Sequence, residues 1–142
     1  MKFKLVNSSP QTYILVFEAG DEVVEGISRF AKENKLKAAS ISAIGAFSKA
    51  ELGYFDLSIK DYKVIPVTEQ VEVLSLTGDI VLYDNQPKLH AHVVIGKPDG
   101  SAHGGHLLNA FVNPTLEVII TELPAYLHRE MDKAAGIPLI KL

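Results

Sequence analysis

The chain has 142 residues, 47% hydrophobic and 22% charged, with a formal net charge of −3 and no cysteine. That length and apolar content suit one globular domain, residues 1–142, and argue against disorder. They exclude disulfides and thiolate metal ligands, and the acidic balance argues against a free-standing DNA binder, which needs a basic patch to neutralise phosphates.

No apolar run reaches the roughly 18 residues of a membrane span. Met1 to Asn7 lacks the long apolar core and small-residue cleavage site of a signal peptide, so the expected location is cytoplasmic.

In chain order, Phe3 to Val6 suggests a short first strand, and Asn7-Ser8-Ser9-Pro10 a turn. Thr12 to Glu18 is rich in β-branched and aromatic residues and reads as a strand. Asp21 is placed to cap a helix, with Glu22 and Glu25 in its first turn, where the helix dipole favours acids. Val23, Val24, Ile27, Phe30 and Ala31 recur at helical spacing, and Lys32, Lys35 and Lys37 suit the C-terminal end. Ala38 to Phe47, small and uncharged, reads as a buried strand with Gly45 at a bulge or close contact. Glu51 to Asp56 is expected as the next strand, Leu57 to Tyr62 as a turn or short extension, and Lys63 to Val67 as another strand. Gln70 to Leu76 alternates, with Val71, Val73 and Ser75 on one face and Glu72, Leu74 and Leu76 on the other. Thr77-Gly78-Asp79 is expected to turn the chain into Ile80 to Tyr83, and Asp84 to Pro87 is a loop.

Four of the five histidines then fall within seventeen residues, and three of them stand as H-x-H and G-G-H. His90 and His92 alternate with Ala91 and Val93, a strand pattern that puts both imidazoles on one face. Gly96 to Gly100 turns the chain, and Gly104-Gly105 leaves room for His106 to return beside them. Three neutral imidazoles converging on one point make a three-ligand metal site with a fourth position open to water or substrate. The plainer reading keeps His90 and His92 as half-buried strand residues bonded to carbonyls. His103 is expected in a solvated loop, and His128 has no assigned role.

Beyond His106, Leu107 to Val112 reads as a strand stopped by Asn113-Pro114. Leu116 to Leu123 is another strand, Arg129 to Ala135 a short helical turn ended by Gly136, and Ile137 to Leu142 a last extended segment. One helix among many strands, outside strict βαβ alternation, indicates an α+β domain on a largely antiparallel or mixed sheet.

The pieces resemble the PPC domain (plants and prokaryotes conserved), a family of unknown biochemical function. The resemblance runs over Phe17 to Val23, Ser42 to Ala46, Glu72 to Gly78, His90-Ala91-His92, Gly104 to Leu107, Leu116 to Val118 and Arg129 to Asp132. It implies a compact α+β domain on a curved sheet, assembled as a homotrimer and similar in fold to acetolactate decarboxylase, whose zinc is held by three histidines. On that likeness His90, His92 and His106 are the ligand positions for a divalent ion, zinc first. In plants the domain accompanies an AT-hook; this sequence holds no Arg-Gly-Arg-Pro segment, and its only arginines are Arg29 and Arg129.

Two accounts of function follow. In the first, the ion acts on a small molecule by acidifying bound water or polarising a carbonyl, as a lyase or hydrolase would. Glu72 is then a candidate proton acceptor or second-layer partner, or else a plain surface carboxylate. Tyr83, Asp84 and Asn109 are polar and near in sequence, but nothing ranks them. In the second, the protein is a homo-oligomeric module that binds another protein, or DNA through a partner, with the metal structural or absent. No G-x-S-x-G, P-loop or dinucleotide motif is present.

Overall fold

The computed structural model describes residues 1–124 and 127–142. In order it has β1 (Lys2–Ser8), β2 (Gln11–Glu18), α1 (Val23–Glu33), β3 (Ala38–Asp56), β4 (Asp61–Val67), β5 (Val71–Tyr83), β6 (Gln86–Gly96), β7 (Ala102–Glu122), β8 (His128–Asp132) and β9 (Ile137–Lys141). The alternation in β2 buries Tyr13, Leu15 and Phe17 on one face. The helical stripe buries Val23, Ile27, Phe30 and Ala31, and Phe30 meets Tyr13 edge-on at 5.1 Å between ring centroids. The helix cap is Glu22, whose side chain accepts from the Glu25 N–H, and not Asp21. The Asp21 carboxylate turns back instead and accepts the Glu18 N–H at 2.9 Å.

The sheet runs β1-β2-β7-β3-β5, and β6 pairs with both β5 and β7. Strands β3, β5, β6 and β7 therefore close on themselves, which bends the sheet around a core that includes Phe47, Leu76, Val93, Ile95, Leu116 and Val118. Every named pairing is antiparallel except the single parallel contact of β5 with β8, at Leu82 and His128, so the sheet is mixed.

Three breaks expected from the sequence are continuous strand. The two predicted strands of 38–56 are one, β3, absorbed by register shifts around Gly45 and Phe47. Gly45 adopts φ +150, and a Cβ there would lie 2.3 Å from the Thr115 carbonyl oxygen, so the expected bulge and close contact are both present. Asn113-Pro114 does not stop β7; the proline, with no N–H to give, falls where the β3–β7 ladder skips from Val112 to Leu116. Thr77-Gly78-Asp79 lies inside β5, in register with Ser42-Ile41-Ser40. Earlier in β5, a shift between Val73 and Ser75 flips the alternation, so Leu76 is buried and does not share the exposed side of Glu72 and Leu74.

The predicted helical turn at 129–135 is also overturned. Arg129 to Asp132 are strand, paired with β9. The segment turns at Asp132, whose Oδ1 accepts the N–H groups of Ala134 and Ala135. Among the described residues no helix is long and apolar enough to cross a membrane.

Candidate metal centre

Two hairpins build the site. Asp84 and Asn85 both have positive φ, which makes a two-residue turn that joins β5 to β6 with Tyr83 opposite Gln86. Counting back from that turn puts Asp79 opposite His90 and Thr77 opposite His92. The second hairpin closes through Lys97 and Ser101, with the Lys97 N–H donating to the Ser101 carbonyl at 2.9 Å. It brings His106 opposite His92. His103 belongs to β7 rather than to a loop, and it is exposed opposite Ile95.

Gly78 lets β5 lie against the histidine strand. A Cβ at this position would stand 2.1 Å from the His90 carbonyl oxygen and 2.7 Å from the Ala91 Cα. Glycine therefore serves close approach of two backbones here, not a turn.

The three rings face one another. Their centroids are 5.1 Å (His90–His92), 5.2 Å (His90–His106) and 5.4 Å (His92–His106) apart, and one ring nitrogen from each lies within 4.8 Å of the other two. Nitrogens bound to one tetrahedral zinc sit about 3.3 Å apart, so small side-chain rotations would bring these three onto one ion. Two further observations fit a cation. His106 Nδ1 is buried with no hydrogen-bond partner among the described residues. The electrostatics also favour the neutral form of two of the rings, His106 and His90, as metal ligation requires. Burial, with help from His90, His92 and Lys88, lowers the His106 pKa to about 4. The His90 pKa is lowered by burial and by the Arg129 charge, against an opposing pull from Asp79.

Neighbours that the sequence did not suggest complete the surroundings. Tyr62 of β4 stacks on His106, centroids 4.7 Å apart. Arg129 of β8, only 7% exposed, places Nη2 2.6 Å from Asp79 Oδ1 and 3.3 Å from His90 Nδ1. A cleft of about 450 Å³ opens beside the triad, lined by His90, His106, Tyr62, Tyr83, Arg129 and Met131 among others.

Of the polar residues weighed from the sequence, Tyr83 reaches this cleft. Asp84 forms the turn, and Asn109 is engaged with Glu51. Glu72 is not brought to the histidines. It pairs with Gly96, five residues along β5 from the partner of His92, about 15 Å away at strand spacing. It lines a different depression with Ile44 and Glu117, so no proton transfer at the triad can be assigned to it.

Comparison with known proteins places this geometry in context. Residues 5–124 match the Plants and Prokaryotes Conserved (PCC) domain. A metal-containing protein from Archaeoglobus fulgidus is 35% identical, with TM-score 0.84 over 97% of this chain and 95% of that one. A "putative dna binding protein" from Bacteroides thetaiotaomicron is 29% identical, with TM-score 0.92 over 99% and 96%. The α-acetolactate decarboxylase of Bacillus subtilis shares the fold alone, at 15% identity and TM-score 0.58, over 78% of this chain and 51% of that enzyme. No curated protein matches.

Proposed function

The chain belongs to the Plants and Prokaryotes Conserved domain family, and we propose that it is a cytoplasmic homotrimer in which His90, His92 and His106 hold one divalent ion, zinc first, beside a cleft that takes a small molecule. The observation that carries this reading is the convergence of three imidazoles, from two paired strands, at the margin of that cleft. The metal-containing relative from Archaeoglobus fulgidus supports it. Three histidines leave a coordination position open, where a Lewis acid would acidify water or polarise a carbonyl, the chemistry of a lyase or hydrolase. The protein's own contribution is a half-enclosed, mainly apolar pocket in which Tyr62 packs one ring and Arg129 and Asp79 flank another.

The test is elemental analysis of protein purified without a histidine tag. About one ion per chain is expected, and His90→Ala with His92→Ala should abolish it. Full occupancy in that double variant would reject the ligand set. The name of the Bacteroides relative favours a second reading, a module that binds DNA or another protein with the ion structural or absent. Fluorescence anisotropy with duplex DNA at about 0.15 M salt separates the two, because phosphate contacts give binding that weakens steeply as salt rises. With a net charge of −3, no such binding is expected.

A further inference from the structure

The metal reading leaves one charge pair, a buried arginine with a half-buried carboxylate, without a task. Arg129 arrives on the β8–β9 hairpin, which meets β5 at Leu82. Its Nη1 donates to the Pro138 carbonyl at 3.1 Å and its Nη2 to Asp79 Oδ1 at 2.6 Å, while Nε is buried with no partner among the described residues. With both ends of the guanidinium taken by the protein, Arg129 is poorly placed to anchor a ligand in the cleft. Parting them would leave the buried Arg129 charge without its carboxylate, which is costly, so the geometry is held firmly. What it holds is the Asp79 carboxylate, directly across the ladder from His90, with Oδ2 3.9 Å from His90 Nδ1.

We propose, on the basis of the three-histidine site above, that Asp79, clamped by Arg129, is the positioning residue for His90: it accepts the Nδ1 proton and so turns Nε2 toward the ion. Histidine ligands commonly donate their second ring N–H to a carboxylate, which fixes tautomer and orientation and strengthens the metal bond. Arg129 makes the choice two-sided. Its Nη2 is 3.3 Å from His90 Nδ1 and can only donate. While Nδ1 accepts from Arg129, the proton of the neutral ring sits on Nε2 and that nitrogen cannot bind metal. When the ring proton moves to Nδ1, the Nε2 lone pair is free and Asp79 Oδ2 becomes the acceptor. The ring stays neutral throughout: one N–H breaks at Nε2 and one forms at Nδ1. Loading with metal therefore selects the Asp79-facing state, and Arg129 keeps its bond to Oδ1 in both.

The experiment uses the full chain and zinc itself. Long-range 1H–15N spectra of the wild-type imidazoles should show His90 protonated at Nδ1 when zinc is bound and at Nε2 when it is removed. A zinc-bound His90 with its proton on Nε2, the metal being on Nδ1, overturns the proposal without recourse to any variant. Chelator competition should show zinc affinity falling about 10–100-fold in Asp79→Asn, with partial recovery in Asp79→Glu and no change in Asp99→Asn, whose exposed carboxylate accepts from the Ser101 N–H and hydroxyl in the next hairpin turn. If the wild type binds zinc and Asp79→Asn binds it equally well, Asp79 has no positioning role and the metal site stands. If the wild type binds none, the three-histidine reading itself fails, and this proposal with it.

Discussion

Folding makes His106 a weaker base than a free imidazole, and this sets a pH dependence of stability. Its pKa is lowered to about 4 and that of His90 is lowered as well, burial being the first cause for both. An unfolded histidine protonates near 6.5. As pH falls through about 6.5 the unfolded chain gains protons that the folded chain refuses, so stability is complete above that value and lost progressively toward pH 4. Asp21 and Asp56, whose pKa values are lowered by ion-pair and hydrogen-bond partners, lose their contribution only below about 4, the ordinary aspartate range. In metal-free protein the urea midpoint should therefore decline between about pH 6.5 and 4.5, and His106→Gln should flatten that decline. Equal slopes in the two proteins would show that His106 titrates as a solvated ring. At this scale the convergence of the three histidines was legible, because H-x-H and G-G-H on a hairpin specify a common face. Asp79 was within reach too: reading Asp84-Asn85 as a two-residue turn places it opposite His90. Arg129 and Tyr62 were not, since each reaches the site by tertiary packing that no local pattern encodes.

Among the elements, the sequence pattern breaks β5 at Gly78 and β7 at Pro114, where both strands run on, and breaks β3 at Ser48 to Ala50, where neither glycine nor proline stands. Glycine and proline usually punctuate a chain, but in a closed, bent sheet they also mark bulges and tight backbone crossings. Gly78 is the informative case. Its Cβ position is occupied by the backbone of His90 and Ala91, and backbone cannot swing aside as a long side chain can. Gly78→Ala should separate β5 from β6 at the metal site, costing about 1–3 kcal/mol by overpacking and weakening metal binding as well. Gly45→Ala meets backbone at Thr115 and carries a strained φ of +150; it should lose at least as much stability while leaving metal affinity near wild type. Denaturant unfolding and chelator competition on both variants check the contrast. Equal loss of zinc affinity in the two would mean that general destabilisation, not strand spacing, governs the site. The helix and the β2 alternation were read correctly because a buried face leaves a clean period, whereas the 129–135 segment carries too few apolar residues to show whether it is helix or strand.

For the whole molecule, the ladders link the three histidines to a broad exposed face. Ile14, Ile119, Ser42, Thr77, His92 and His106 are successive cross-strand partners from β2 round to β7, and directly opposed residues share a face. The apolar half of that face extends to Ile44 and Leu74, which are 61% and 55% exposed. Contiguous apolar area of this kind on a sheet is where subunits pack, and it is the surface best suited to the proposed trimer. One protomer's chain gives no sequence pattern for such a face, since outward Ile and Leu positions in a strand look like any others in an alternating run. Leu74→Glu places a charge at its centre without touching the core, so the protomer should keep its fold. Sedimentation velocity should then show the wild type as a trimer and Leu74→Glu as a monomer with an unchanged circular dichroism spectrum. A variant that stays trimeric would move the interface elsewhere, and a monomeric wild type would remove the trimer altogether. Zinc affinity should be measured on the same monomer, because His92 is the exposed histidine of the three and lies near the end of this row. If affinity is kept, one chain holds the ion by itself; if it falls, the neighbouring subunit shields or completes the site.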